Sequence, residues 1–406
     1  MMGLQFKRLI LSACVGVMAG AAAAVFLITL NAATLWRESH PWLIWLLPLG
    51  GAVIGFGYYR YGRESEKGTG LILEQIHDPS NILPLRMAPM VLLGTLLTHL
   101  FGGSAGREGT AVQMGATLAD QLNRLVKTTA DDRKALLIAG AGAGFSAAIG
   151  APLAGALFGL EVIQVGRLRL FALAECLVAS FVAFYVCRIL GAPHSVFGPV
   201  GDVSYSALGF VAVFGAGLVF GLAANVFMCF THFIELLQKK FVKHPVLKPV
   251  VGGVLLVGLY HLEGSFRFVG LGISEIQSYF ASAASLADPV YKTIFTGLTV
   301  GSGFKGGEFI PLVFIGSGLG SALSVVLPLS VAMLSALGFA AVFGAAANTP
   351  LACAVMACEI FGWNIAPYAF LACVVAYFVS GHLGIYKNQK IVRSKRDQLL
   401  WVFRRK

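Results

Sequence analysis

GGSAGREGTAVQMG, residues 102–115, places Arg107 and Glu108 in a glycine-rich break between stretches apolar enough to lie within a membrane. Ionisable groups at membrane depth are costly and rare, and where they occur they face a cavity or a pathway. Glu108 is therefore a candidate functional carboxylate. The alternative at this point is an Arg107–Glu108 ion pair in a water-exposed loop.

Composition sets the class. The chain is 57% hydrophobic and only 12% charged, whereas soluble domains are about one quarter charged. An integral membrane protein follows, and the 49 glycines fit helices whose backbones approach closely. The net charge of +11 raises nucleic acid as a partner, but the distribution argues against it. Lys387, Lys390, Arg393, Lys395, Arg396, Arg404, Arg405 and Lys406 face one acid, Asp397, in a tail beside an apolar span. Such a run suits cytoplasmic anchoring to anionic lipid. Lys7 and Arg8 precede an apolar run over 9–30, which favours a cytoplasmic N-terminus and an uncleaved first helix. The seven cysteines all sit in apolar segments without a CxxC pair and read as core residues. No cofactor or metal site is expected, because no histidine has ligand spacing to a second ligand.

The expected fold is an all-α membrane domain over 1–406, with repeat halves at about 1–205 and 206–386, a basic tail over 387–406 and no soluble regulatory domain. Apolar segments fall at about 9–34, 41–59, 87–101, 135–165, 169–191, 207–231, 247–262, 290–304, 308–327, 331–347, 350–362 and 366–385. Several are shorter than the roughly 20 residues a straight span needs, so broken or re-entrant helices are expected. Residues 59–67, YRYGRESEK, read as a charged loop, and nothing alternates like a strand.

A repeat underlies the pattern. APLAGALFGLE at 151–161 matches TPLACAVMACE at 349–359, and Gly106-Arg107-Glu108 matches Gly306-Gly307-Glu308 about 200 residues later. Two motifs recurring at nearly one spacing indicate a duplicated unit. Interrupted segments at matching positions of two halves point to a transporter with its site between them.

A broken helix presents unpaired N–H groups and its positive dipole end to the break. With glycines keeping the backbone accessible, that suits a small anion. Glu108 can then occupy the anion position when the ion is absent and swing away when protonated.

The stretches GTGLI at 68–72, GREGT at 106–110 and GGEFIP at 306–311, followed by Tyr386, resemble the anion-site motifs of the CLC chloride channel and transporter family over nearly the whole chain. The resemblance implies a bundle of tilted, broken helices in two inverted-topology repeats, and a homodimer in a bacterial-type inner membrane with a separate pathway in each subunit. It implies Glu108 as gating glutamate and Thr69 and Gly70 at the first anion position. Gly106, Arg107 and Gly109 would lie at the second, Phe309 and Ile310 would offer backbone amides, and Tyr386 would stand on the inner side. A halide and a proton are the implied substrates.

The departures concern the substrate. Chloride/proton antiporters of the family carry an internal glutamate beside the conserved one in the PLAG helix, whereas here Glu161 is followed by Val162. The fluoride/proton antiporters lack it too and use a glutamate in the third motif, where this chain has Glu308. GREGT, FKGGE and IHDP resemble that branch as well, yet it has Met and Asn in place of Thr69 and Gly70, and Thr in place of Ile310. A hydroxyl donor at Thr69 favours chloride or mixed halide transport, with fluoride/proton antiport for fluoride export as the alternative. A passive channel is a further alternative, with Glu308 merely paired to Lys305 one turn earlier. The chain is not expected to be an enzyme. Residues 102–106 match G-x-S-x-G, with His99 or His382 as conceivable bases for Ser104, but the nucleophile elbow needs a strand-to-helix turn. A carrier for organic anions would need paired Arg or Lys clamps at membrane depth, for which Arg107 and Lys305 are among few candidates.

Overall fold

A computed structural model describes residues 2–126 and 128–404. Lys127 of the loop before the sixth helix, and Arg405 and Lys406 of the basic tail, lie outside the described residues. In the first part of the chain run α1 (Met2–Ser39), α2 (Leu47–Gly57), α3 (Thr69–His77), α4 (Met87–Leu100), α5 (Glu108–Leu125), α6 (Ala130–Ile149), α7 (Pro152–Glu161) and α8 (Leu173–Ile189). The second part holds α9 (Ala207–Phe241), α10 (Leu247–Glu263), α11 (Ile273–Ser278), α12 (Ala287–Gly301), α13 (Phe309–Leu323), α14 (Val331–Ala347), α15 (Pro350–Phe361), α16 (Ala366–Val379) and α17 (Lys395–Arg404).

Length separates two kinds of helix. Phe6–Ser39, Pro41–His77, Leu170–Ile189 and Ala207–Phe241 are long and apolar enough to cross a membrane. By contrast, the 15 residues of α13 rise about 1.5 Å each and fall short of a hydrocarbon core about 30 Å thick. Helices of that kind start or stop inside the protein. The apolar segment over 135–165 divides for a local reason: Gly150 adopts φ +85° and Pro152 opens α7.

Small residues bring the buried helices together. A Cβ on Gly316 of α13 would lie 2.0 Å from the carbonyl oxygen of Gly338 on α14, and the reverse distance is also 2.0 Å. These backbones touch directly, the kind of approach that glycine permits between membrane helices.

Two segments depart from the sequence expectation. Residues 59–67 are not an open loop: Tyr58–Gly62 forms a π-turn and Arg63–Lys67 a 3-10 turn, separated by the positive φ of Arg63. The chain keeps its own backbone hydrogen bonds while turning toward α3. A short parallel pairing also forms, β1 (Gln164–Val165) against β2 (Lys390–Ile391), and ties the tail to the α7–α8 linker. Two residues are too few to show period-2 patterning.

The repeat appears as a reciprocal contact. Glu161, ending α7, accepts hydrogen bonds from the N–H groups of Leu351 and Ala352 at 3.1 and 2.8 Å. Glu359 of α15 accepts from Leu153 and Ala154 at 2.9 and 2.7 Å. Each carboxylate caps the other helix and meets its positive end. The Glu161→Gln protein is therefore expected to lose about 1 kcal/mol of stability in a denaturant titration, while halide flux stays measurable. Proton coupling lost with folding intact would contradict this capping role.

Candidate functional site

Two helix breaks meet at the centre. Gly106 N–H donates to the Gly307 carbonyl at 2.6 Å, and Gly307 N–H donates to the Gly106 carbonyl at 2.7 Å, an isolated antiparallel bridge. Immediately after it begin α5 at Glu108 and α13 at Phe309. Glycine is required sterically. A Cβ on Gly106 would stand 3.0 Å from the Gly307 oxygen and 3.1 Å from the Ile310 nitrogen, and one on Gly307 would stand 2.9 Å from the Gly109 nitrogen. The N–H groups of Gly109, Phe309 and Ile310 have no protein acceptor among the described residues.

Glu108 is 1% exposed and folds back on its own helix start. Its carboxylate accepts from the Arg107 backbone N–H at 3.2 Å and from Arg107 Nε at 3.3 Å. Arg107 Nη2 donates to Ser195 Oγ at 3.2 Å. The same arginine lines a cavity of about 530 Å³, together with Asn31, Arg37, His194 and Glu275. Arg107 thus joins the buried carboxylate to an accessible chamber, and the proposed alternatives for these two residues merge: they are paired, and they are buried.

Glu308 is half-buried at the start of α13 and makes no side-chain hydrogen bond or ion pair among the described residues. Pairing with Lys305 does not form, since Lys305 Nζ lies 4.0 Å from the centroid of the Tyr58 ring. The charges acting on Glu308 are Lys387 and Glu235, which bond to each other at 2.7 Å.

An aromatic column joins α13 to Tyr386. Phe309 meets Phe145 and Phe343 edge-on with centroids 5.7 and 4.6 Å apart. Phe145 stacks on Phe158 at 3.9 Å, and Phe158 meets Tyr386 edge-on at 6.0 Å. Tyr386 is half-buried and within electrostatic reach of both Glu308 and Glu108.

The third helix start, Thr69 and Gly70 of α3, is held by less obvious neighbours. A Cβ on Gly68 would lie 3.3 Å from Gln113 Nε2, and Asn388 Nδ2 donates to the Gly70 carbonyl at 3.2 Å. The Thr69 hydroxyl has no protein partner among the described residues. Lys67, Glu74, His77, Asp78 and residues 388–390 line a cavity of about 600 Å³ on this side. Gln113, Ser195 and Asn388 were missed in the sequence reading. None of the three carried a distinguishing signal, since Gln113 shares its helix face with Thr110, Thr117 and Asp120.

Ser104 is not set up as a nucleophile. Its hydroxyl bonds to Thr296 Oγ1 at 2.9 Å, His99 Nε2 is 3.5 Å from the Gly106 carbonyl, and His382 Nε2 accepts from Lys395 N–H. No group of three His, Cys, Asp or Glu side chains converges among the described residues.

Helix starts with unpaired amides, buried in a bundle of broken apolar helices around a carboxylate, are the geometry of a membrane protein of the ion-transporting kind. The chain belongs to the voltage gated chloride channel family, whose sequence profile matches residues 50–381. It is 46% identical over 402 residues to the "Chloride/fluoride channel protein" of Pseudomonas syringae pv. tomato, covering 97% of this chain and 88% of the relative. A CLC-type fluoride/proton antiporter of known structure matches with a TM-score of 0.92 and 35% identity, over 95% of this chain and 98% of that one. A slow cyanobacterial Cl⁻/H⁺ antiporter shares the fold with a TM-score of 0.81 at 20% identity, over 92% and 94% of the two chains.

The bridge can be tested by one methyl group. Gly307→Ala forces backbone apart and is expected to lower halide flux by tenfold or more in protein that still runs as a folded species on gel filtration. Gly258→Ala, where nothing lies within 4 Å, should leave flux unchanged; equal flux in both variants would contradict the role given to the bridge.

Proposed function

We propose that the chain is a CLC-type halide/proton antiporter, with Glu108 as gate and proton acceptor and Glu308 as the acid that exchanges protons on the inner side. The observation that carries this reading is the Glu108 carboxylate folded onto Arg107 at the start of α5, a helix start that the Gly106–Gly307 bridge holds against that of α13 with its unpaired amides. Two helix starts brought together concentrate positive potential. A halide neutralises it when bound, and the carboxylate neutralises it when the halide leaves. Protonation of Glu108 removes that competition, so the side chain lets go of Arg107 at the helix start and the anion can enter. This links one proton to one anion position.

Glu308 supplies the second acid. Lacking a partner, it is available to take a proton, and Tyr386 lies in the field of both acids. A passive channel needs no second acidic group of this kind. Phe309 and Ile310 offer amides, Gly106 and Gly109 let the helix starts converge, and Thr69 with Gly70 forms the start of the inner approach. Arg107 steadies the closed carboxylate from the outer chamber.

Fluoride as substrate is supported by the similarity to a fluoride/proton antiporter over almost the whole chain, by Glu308, and by Val162 after Glu161. Chloride or mixed halide transport is the second reading, favoured by the Thr69 hydroxyl and by the relative named for both ions. We further propose a homodimer in a bacterial-type inner membrane in contact with lipid, both termini on the cytoplasmic side with the basic tail. Neither a cofactor nor bond-making chemistry has a part in this reading.

Liposomes holding the purified protein, loaded in turn with fluoride and chloride and monitored for pH, test the proposal. Wild type should move protons uphill when driven by the preferred halide, with a preference of at least tenfold, about 1.4 kcal/mol. Glu108→Gln should abolish proton movement, and Glu308→Gln should reduce it. Rapid efflux without proton movement, unchanged in both variants, would mean a passive pathway.

A further inference from the structure

We propose that a basic cavity at the shared ends of α1, α6 and α8, separate from the halide pathway, binds the phosphate group of an acidic phospholipid. The cavity measures about 480 Å³ and is lined by Arg8, Asp131, Lys134, Arg167, Arg169 and Phe171, among others. Four of these carry positive charge and one carries negative charge. Arg8 is already engaged by Asp132 and lies 3.9 Å from Glu175, and Arg169 Nε donates only to the neutral Gln164 side chain at 3.0 Å. Lys134, Arg167 and Arg169 form no ion pair among the described residues. Three cations therefore converge on one concavity with a single acid, Asp131, beside them.

Depth and surroundings select the ligand. α1, α6 and α8 pack on one another, and in each the apolar run starts just past the cavity: at Leu9 after Arg8, at Ala135 after Lys134, and at Leu173 after the linker that carries Arg167 and Arg169. The charged ends thus mark the level where hydrocarbon gives way to headgroups. Leu170 and Phe171, on the rim, are 58% and 45% exposed, which offers acyl chains an apolar edge next to the cations. The pairing of β1 with β2 puts the tail on the same face, and Lys134, Arg169 and Lys390 all act electrostatically on His77. Basic pockets between membrane helices on the positive face suit acidic headgroups. A phosphodiester fits the three cations, and the chains fit the rim.

Native mass spectrometry of the detergent-solubilised full chain, offered phosphatidylglycerol or phosphatidylcholine, tests this. The protein should retain phosphatidylglycerol at least tenfold better than phosphatidylcholine. The Lys134→Gln/Arg167→Gln/Arg169→Gln variant should lose that preference by tenfold or more, while Arg63→Gln/Lys240→Gln/Lys243→Gln, with the same change in charge, should keep it. Equal loss in both variants would reduce the effect to diffuse attraction and overturn the site, as would no loss in either. Displacement of the lipid by millimolar inorganic phosphate would assign the cavity to free phosphate instead and overturn the lipid as its occupant. Halide flux from liposomes, retained in both variants, serves as the check of folding.

Discussion

The structure depends on one short backbone exchange, the two hydrogen bonds between Gly106 and Gly307. It holds the starts of α5 and α13 together at the centre of the chain, where both would otherwise repel through their positive ends. That arrangement is tenable only with negative charge at hand. Glu108 provides it from within the protein, and in the proposed mechanism a halide provides it from outside. The proposed competition between them rests on this geometry rather than on any special chemistry of the carboxylate.

A second reciprocal contact supports the first. Glu161 and Glu359 cap each other's helices through four hydrogen bonds, so α7 and α15 are locked as a pair beside α6 and α14. Charge-assisted caps of this kind are among the stronger hydrogen bonds. They give both acids a structural partner at the helix starts they cap. In the proposed mechanism proton traffic falls to Glu108 and Glu308, the acids beside the bridge. Duplication thus supplies two sets of matched acids with different work: one set fixes the scaffold, and the other stands at the site.

Much of this was legible in the chain. An acid in a glycine-rich apolar stretch is conspicuous, and so is a motif that recurs with a helix-opening proline. The fold class followed from those features, and the family from the resemblance of GTGLI, GREGT, GGEFIP and Tyr386 to its motifs. What the sequence hid was pairing between distant segments. By the repeat Gly106 corresponds to Gly306, yet it bonds to Gly307, a one-residue shift that only the packed helices decide. Ser195 and Asn388 come from loops far from the motifs they touch, and polar residues at loop ends carry no distinguishing pattern. The turns over 58–67 were obscured by their charges, which suggested an open loop where the backbone still bonds to itself. The cross-capping by Glu161 and Glu359 could be anticipated as helix-end bonding, but not the exchange of partners.

The central claim is that the Glu108 carboxylate and a halide compete for the same helix starts. Isothermal titration of fluoride and chloride into wild type and Glu108→Gln at neutral pH tests it directly. Removing the competing charge should tighten binding of the transported halide by about tenfold, equivalent to about 1.4 kcal/mol, and wild type should approach the variant as the pH is lowered. Equal affinity in both proteins across the pH range would contradict the account, because the carboxylate would then stand apart from the anion's position.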